Sequence, residues 1–229
     1  IYYTDDKGII QTGWQTIGKN KYYFDETGKM ATGITTIKDK KYLFGATSGK
    51  LYYGLTPAPD GNTYYTNNNG IIQTGWQIIG KDKYYFNEQG VMKTGITEVD
   101  GKKYLLGATS GKLYYGWTDA PDGNRYYTNE EGIIQTGITE VNGKRYLLGA
   151  TSGKLYYGFT RTPDGNIYYT NKDGVIQTGH IKINQNDINI IQITLIKRTQ
   201  DGIILYMDFP NLVVLVVHQL VLQWQFHQY

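Results

Sequence analysis

GWQIIGKDKYYFNEQGVMKTG, residues 75–95 of the chain, has the pattern of a β-hairpin followed by a second turn. Two short apolar runs, Trp76–Ile79 and Lys83–Phe86, flank the turn residues Gly80-Lys81-Asp82. Glycine and Asx residues accept positive φ at little cost, so the chain can reverse direction there. The stretch therefore predicts two short antiparallel strands joined by a tight turn.

The glycine that opens this stretch recurs every 20 or 21 residues, at positions 13, 33, 54, 75, 95, 116, 137, 158 and 179. A period of this size is typical of stacked supersecondary units, none of which can bury a core alone. We therefore predict an all-β fold for residues 1–179, a β-solenoid of stacked ~20-residue hairpins. It comprises eight complete units after an N-terminal partial unit. Ile1-Tyr2-Tyr3-Thr4 repeats Ile167-Tyr168-Tyr169-Thr170, so we expect the chain to begin inside a unit whose first strand lies upstream.

A large residue follows each glycine, and a tyrosine opens the second strand nine or ten residues beyond the glycine. Because strand side chains alternate, Tyr84 and Phe86 share one face, while Lys83 and Tyr85 share the other. The first face can line the interior. The second places a tyrosine beside a cation, and its recurrence predicts an evenly spaced shallow aromatic site in every unit.

Most tyrosines and tryptophans must pack the stack, because the array has no other core. The tryptophans after the glycines are stronger candidates for ligand contact, since equivalent positions elsewhere hold isoleucine, leucine or phenylalanine. With the exposed-face tyrosines, the predicted ligand-binding residues are Trp14, Tyr23, Trp76, Tyr85, Trp117 and Tyr127.

Asp-Gly and Asn-Gly pairs between the strands suit tight type I′ turns. They occur at Asp60-Gly61, Asp100-Gly101, Asp122-Gly123, Asn142-Gly143 and Asp164-Gly165. Three of these lie in a longer Pro-Asp-Gly-Asn sequence that could suggest calcium. One carboxylate and one amide fall short of the roughly six to eight oxygen ligands that calcium takes, so we interpret the sequence as a turn and predict no metal site.

Composition argues against several kinds of function. The chain has no cysteine, which removes thiolate chemistry and disulfides, and its net charge of +3 does not predict a nucleic-acid partner. The repeats lack histidine, and Glu130 and Glu131 are adjacent on a turn rather than opposed across a cleft. We therefore predict no catalytic residues and no cofactor.

Residues 180–229 form a non-repeat tail with one of the 29 glycines and all three histidines. The apolar run Leu212–Leu222 is too short for a bilayer span, which needs about 20 residues. It is better interpreted as a buried strand or an aggregation-prone segment. We predict no membrane span.

Trp14 with Lys21-Tyr22-Tyr23-Phe24, and Trp76 with Lys83-Tyr84-Tyr85-Phe86, resemble the cell-wall-binding repeats of choline-binding proteins, glucan-binding proteins and large clostridial toxins. The resemblance covers residues 1–179. It implies a β-solenoid on a secreted, surface-associated protein of a Gram-positive bacterium, with carbohydrate or choline held between hairpins.

In the choline-binding branch a tryptophan precedes the tyrosine pair and helps to cage a quaternary ammonium. In this chain that position is mostly basic, as at Lys21 and Lys83, and a fixed cation there would repel choline. The expected partner is thus a cell-wall polysaccharide or teichoic acid, with choline disfavoured. Host glycans are an alternative, as for the toxin repeats. A second alternative is that the chain is a fragment of a cell-wall hydrolase or cysteine peptidase whose catalytic domain is lost.

The abrupt loss of glycine after residue 179 suggests that the tail is translated out of frame. Shifted by one base, residues 215–229 are compatible with Gly-Cys-Ala-Pro-Thr-Ser followed by Ala-Met-Ala, which looks like the nucleophile segment of papain-like cysteine peptidases and cell-wall hydrolases. The hypothesis is that an intact relative joins the repeats to such a domain. Sequencing of the locus tests it: codons incompatible with cysteine would end it.

Overall fold

The computed structural model describes residues 1–183, 186–190, 197–199, 202–205, 213–218 and 221–226, with side chains described for residues 1–178. All regular structure in these residues is β-strand, and they include no helix that is long and apolar enough to cross a membrane. The chain divides into two compact units, Ile1–Tyr114 and Tyr115–Tyr229.

The first unit contains five antiparallel hairpins, β1–β2, β3–β4, β5–β6, β7–β8 and β9–β10. Each first strand begins at a glycine of the repeat, and in β7–β8 Gly75 pairs with Phe86. The strands are β1 Gly13–Ile17, β2 Asn20–Phe24, β3 Gly33–Ile37, β4 Lys40–Phe44, β5 Gly54–Pro57, β6 Thr63–Thr66, β7 Gly75–Ile79, β8 Asp82–Phe86, β9 Gly95–Val99 and β10 Lys102–Leu106.

The second unit continues the hairpins from β11–β12 to β17–β18 and adds a sheet in the order β19-β20-β21-β22. A hairpin thus also begins at Gly179, although the tyrosine pair is absent there. The strands are β11 Gly116–Asp119, β12 Arg125–Thr128, β13 Gly137–Val141, β14 Lys144–Leu148, β15 Gly158–Arg161, β16 Ile167–Thr170, β17 Gly179–Ile183, β18 Asn186–Ile190, β19 Lys197–Thr199, β20 Gly202–Leu205, β21 Val213–His218 and β22 Val221–Phe226. The peptidase hypothesis falls on residues 215–229, whose side chains lie outside the described part of the chain.

The turn prediction is confirmed where two residues join the strands. Asp100 and Gly101 have φ values of 51° and 73°, and Asn142 and Gly143 have 51° and 71°. Positive φ at both central residues is what a type I′ turn requires, and it matches the twist of the flanking strands.

The turn prediction is wrong at Asp60, Asp122 and Asp164, where the loops are longer and no aspartate has positive φ. Pro121 illustrates the reason: proline has no amide to donate to the ladder, so strand pairing ends before it. Asp122 instead accepts the Asn124 N–H at its Oδ1, at 3.0 Å, and Ala120 N–H donates to the Asn124 carbonyl at 2.9 Å. An Asx turn therefore closes these three loops.

Within each unit, successive hairpins are joined by main-chain hydrogen bonds. The segment after one hairpin reaches back to the second strand of the hairpin before it: Leu51 N–H donates to the Lys21 carbonyl at 2.8 Å, and Leu113 N–H donates to the Lys83 carbonyl at 2.8 Å. In the second unit, Leu155 N–H donates to Arg125 in the same way. The carbonyls of Lys21, Lys83 and Arg125, which precede tyrosine pairs, are therefore held in place by the stack.

The core lies between consecutive hairpins. Ile37, Phe44 and Leu51 form one buried cluster, against which Trp14 and Tyr42 pack. Burying a side chain such as Phe44 stabilises the fold by about 1.5–3 kcal/mol. The position of Phe44 is buried in each of the eight hairpins whose side chains are described, as Phe24, Phe44, Thr66, Phe86, Leu106, Thr128, Leu148 and Thr170.

The prediction of an aromatic site in every unit is wrong, because the second strands of three hairpins have a buried leucine where an outward-facing tyrosine was expected. In β4, β10 and β14 the residue after the tyrosine is a leucine with only 1% of its surface exposed: Leu43, Leu105 and Leu147. Leu43 belongs to a second core cluster with Tyr64 and Ile72. Its cross-strand partner is Ile34 rather than a tryptophan. These hairpins therefore have no tryptophan–tyrosine pair of their own.

Candidate functional site

Each predicted tryptophan lies directly opposite the predicted tyrosine of its own hairpin. The strand register pairs Trp14 with Tyr23, Trp76 with Tyr85, and Trp117 with Tyr127. Their ring centroids are 5.2, 5.0 and 5.0 Å apart. A Cβ placed on the glycine that opens each strand, Gly13, Gly75 or Gly116, would have no atom of the described residues within 4 Å.

A tyrosine from the next hairpin adds a third ring to each pair. Tyr42 lies 5.0 Å from Trp14, Tyr104 lies 4.8 Å from Trp76, and Tyr146 lies 4.6 Å from Trp117, measured between centroids. We call each trio a three-ring site. The three sites comprise Trp14, Tyr23 and Tyr42; Trp76, Tyr85 and Tyr104; and Trp117, Tyr127 and Tyr146.

In each three-ring site the two tyrosine rings are steeply inclined to the indole. Both tyrosines stand at 52° to 67° to the indole plane, so that they form walls beside it rather than a stack on it. All nine rings are half-buried. Such an arrangement offers aromatic surface to a flat apolar face, such as that of a sugar ring.

A basic side chain lies over each of the three tryptophans. Lys21 Nζ is 4.8 Å from the Trp14 ring centroid, Lys83 Nζ is 4.6 Å from that of Trp76, and Arg125 Cζ is 5.7 Å from that of Trp117. These distances are within the range of cation–π attraction. The cation comes from the second strand, two residues before the tyrosine that faces the indole.

The first three-ring site opens into a cavity of about 350 Å³. This volume is at the lower end of the range of ligand pockets, roughly 300–1,000 Å³. Its seven lining residues are Gly13, Trp14, Tyr23, Ile37, Lys38, Lys40 and Tyr42. The cavity is thus built from aromatic side chains and lysines of two consecutive hairpins.

The aspartates of the Pro-Asp-Gly-Asn turns act as hydrogen-bond acceptors for the hairpins that they close. Tyr126 donates its hydroxyl to Asp122 Oδ2 at 2.6 Å, and Tyr64 donates to Asp60 Oδ2 at 2.6 Å. The bond from Tyr126 lowers the pKa of Asp122, while burial and this bond raise the pKa of Tyr126. Thr162 donates to Asp164, which lowers the pKa of Asp164. These contacts give the carboxylates a structural role in the turns.

The structure brings the six predicted site residues together as three pairs, one in each of three hairpins. Sequence reasoning did not identify Tyr42, Tyr104 and Tyr146 as part of the sites. In the sequence, each of them is the first tyrosine of a second strand, and side-chain alternation predicted that this tyrosine faces the interior. That tyrosine makes a T-shaped contact with the tryptophan of the preceding hairpin, and only the stacking of hairpins creates this contact.

The model of the choline-binding repeat matches residues 11–54 and 73–116. No curated protein sequence gives a significant match. Among solved structures, CbpJ from Streptococcus pneumoniae is similar, with 26% identity and a TM-score of 0.71 over 82% of this chain and 73% of that one. Choline-binding protein F from the same species has 24% identity and a TM-score of 0.71 over 82% and 72% of the two chains, which supports the fold.

A further structure of choline-binding protein F was obtained in the presence of a peptidoglycan analogue, a tetrasaccharide-pentapeptide. It has 26% identity and a TM-score of 0.57, covering 82% of this chain and 59% of that one. The predicted fold class, an all-β solenoid of stacked hairpins, is confirmed by these similarities together with the hairpin repeats.

Proposed function

We propose that residues 1–179 are a non-catalytic binding module, which attaches a secreted protein to the polysaccharide of a Gram-positive cell surface. The repeats of this chain belong to the cell-wall-binding repeat family. The repeats are of the choline-binding type. The observation that carries the proposal is the recurrence of the three-ring site, with the same ring pairs at the same cross-strand positions in three hairpins.

Carbohydrate suits these sites because one face of a hexose ring is apolar and its edge is polar. An indole flanked by two tyrosines provides a matching apolar face and hydroxyl groups. That a related protein was crystallised in the presence of a peptidoglycan analogue supports a wall polymer as the ligand.

Choline itself is disfavoured by the cation over each indole. A quaternary ammonium needs the electron-rich ring face, and Lys21 Nζ and Lys83 Nζ already lie 4.8 and 4.6 Å from the two ring centroids. A second positive charge placed there would meet direct repulsion. The proposed ligand is therefore the sugar of a wall polysaccharide or teichoic acid.

Attachment depends on several sites acting on one polymer. Each shallow site is expected to bind weakly. Sites linked on one chain raise the effective concentration of one another, and avidity can exceed single-site affinity by roughly 10²- to 10⁴-fold. Loss of the three tryptophans should then weaken attachment far more than loss of one.

Co-sedimentation of the full chain with purified Gram-positive cell walls tests the proposal. The test variant is Trp14→Ala/Trp76→Ala/Trp117→Ala. The matched control is Ile34→Ala/Ile96→Ala/Ile138→Ala, which truncates the equivalent residues of the hairpins that lack a three-ring site; those isoleucines are 44%, 45% and 42% exposed. We expect the tryptophan variant to lose at least about tenfold in binding and the control to bind nearly as wild type.

Competitors distinguish the ligands. Release by soluble wall polysaccharide, but not by choline chloride, is the expected result. Release by choline would contradict the argument from Lys21 and Lys83. Retention of the tryptophan variant on walls would refute the three-ring sites. Binding to mammalian cell-surface glycans, with none to bacterial walls, would favour the toxin-like alternative instead.

A further inference from the structure

We propose that the three-ring sites recognise an anionic polysaccharide, with a sugar ring on the indole and a phosphate or carboxylate group on the lysines beside it. This inference rests on the proposed function and adds to it the charge of the ligand. Four lysines lie at the first two sites: Lys21, Lys38, Lys40 and Lys83.

The cavity at Trp14 has three lysines in or beside it. Lys38 and Lys40 line it from the next hairpin, and Lys21 lies over the indole from the same hairpin. None of its seven lining residues, all of them in the described part of the chain, carries a carboxylate. Asp39 lies between the two lysines in the turn and does not line the cavity. The site thus has two lysines in the lining of the cavity and a third over its indole.

The lysines at the first two sites are not neutralised by ion pairs. Within residues 1–178, neither Lys21 nor Lys83 has a carboxylate in ion-pair range. Asp82, the residue before Lys83, forms an ion pair with Lys112 instead, with 2.7 Å between Lys112 Nζ and Asp82 Oδ2. The cation of each site therefore remains available to a ligand.

The third site provides an internal contrast. Arg125 Nε lies 3.3 Å from Asp119 Oδ1, so its charge is partly neutralised, and its Cζ is farther from the indole, at 5.7 Å. The structure thus places the unbalanced cations at Trp14 and Trp76. We expect the anion preference to reside in these two sites.

A lysine beside an aromatic ring suits an anionic sugar for two reasons. The compact ammonium group binds phosphate or carboxylate as a point charge, and its flexible stem lets it move from the ring face to a ligand that stacks there. A neutral glucan could stack on the aromatic rings, but it would gain less binding energy from the lysine charges. Phosphodiester polymers and hexuronic acid polymers share this chemistry, and the experiment separates the two sources.

The experiment measures binding of the full chain to three immobilised polymers. They are a choline-free, glucosylated glycerol-phosphate teichoic acid, polygalacturonate, and neutral dextran. The test variant is Lys21→Gln/Lys40→Gln/Lys83→Gln. The control, Lys7→Gln/Lys19→Gln/Lys81→Gln, removes the same charge from exposed lysines outside the sites. Circular dichroism and melting temperature verify that all variants fold.

Wild type should bind at least one anionic polymer more tightly than dextran, and added salt should weaken that binding because exposed charges are screened within about 10 Å at 0.1 M. The test variant should lose roughly tenfold in affinity for the anionic polymer and none for dextran, while the control loses less than about threefold. Preference for the teichoic acid identifies a phosphodiester ligand, and preference for polygalacturonate a carboxylate.

Two results would overturn the inference in distinguishable ways. Wild-type protein that sediments with walls through its tryptophans, but binds dextran as well as the anionic polymers, refutes the anionic ligand and leaves the proposed function standing. Equal losses of affinity for the anionic polymer in the test and control variants refute a role for the site lysines and also leave the proposed function standing. Binding to none of the polymers and to no cell wall refutes both proposals.

Discussion

The hydrogen bond from Tyr126 to Asp122 tests whether the turn carboxylates stabilise the hairpins. The hydroxyl of Tyr126, a side chain with 0% exposure, donates to Asp122 Oδ2 at 2.6 Å. A hydrogen bond to a charged acceptor contributes about 1.5–3 kcal/mol. The side chain of Asp122 is 42% exposed, and solvent screening reduces this value. We therefore expect Tyr126→Phe to lower the free energy of unfolding by about 1 kcal/mol at pH 7.

Differential scanning calorimetry at pH 7 measures this effect as a fall in melting temperature of about 2–4 °C for a chain of this size. Tyr84→Phe is the matched control. Tyr84 occupies the same strand position and is 5% exposed, but its hairpin lacks the Pro-Asp-Gly-Asn turn. The control should change the free energy of unfolding by less than about 0.5 kcal/mol.

The pH dependence follows from the lowered pKa of Asp122, whose largest cause is the hydrogen bond from Tyr126. A carboxyl with a lower pKa in the folded state stabilises the protein at pH values above its unfolded pKa of about 3.9. That contribution is lost as the pH falls through the folded pKa. The difference between wild type and Tyr126→Phe should thus shrink between pH 5 and pH 3. An unchanged melting temperature at pH 7, or a difference that persists undiminished at pH 3, would refute the reasoning.

Two further predictions concern the stack itself. In urea denaturation, Gly70→Ala should destabilise the protein more than Gly54→Ala. Both glycines have positive φ, at 76° and 77°. A Cβ at residue 70 would lie 2.5 Å from the Leu51 side chain, whereas a Cβ at residue 54 would have none of the described atoms within 4 Å. We expect about 1–2 kcal/mol from the backbone alone, and equal losses for both variants would contradict the predicted clash. Leu106→Ala, at a side chain with 1% exposure, should lower the free energy of unfolding by about 2–5 kcal/mol, against less than about 1 kcal/mol for Leu55→Ala, where 39% is exposed. Similar midpoints for these two variants would show that the core does not lie between the hairpins.

Sequence reasoning could predict the local part of the candidate site because that part depends on short-range pairing. Trp76 and Tyr85 belong to one hairpin, and once its turn is located the register places them opposite each other. The alternation of side chains likewise predicts that Tyr84 and Phe86 face the interior, and they are 5% and 0% exposed. Glycine spacing and period-two alternation suffice for such contacts.

Sequence reasoning failed where a contact depends on the neighbouring hairpin. Tyr104 reaches Trp76 because consecutive hairpins stack, and no pattern within one unit states how closely they approach. Leu43, Leu105 and Leu147 occupy the same strand position as Tyr85, which alternation predicts to face outward, yet the stack buries them. The aspartate of a Pro-Asp-Gly-Asn sequence is compatible with either a tight turn or a longer Asx turn.

The amino-acid sequence by itself determined the repeat, the hairpin as its unit and the six residues of the paired rings, because these follow from backbone preferences and interactions within about 20 residues of chain. Only the tertiary structure decided which hairpins carry a complete site. The third ring, the lysines of the next hairpin around the cavity at Trp14, and the burial of Leu43 all arise between hairpins. Their positions depend on the distance and rotation from one hairpin to the next, which are set by packing and by the main-chain hydrogen bonds of the stack.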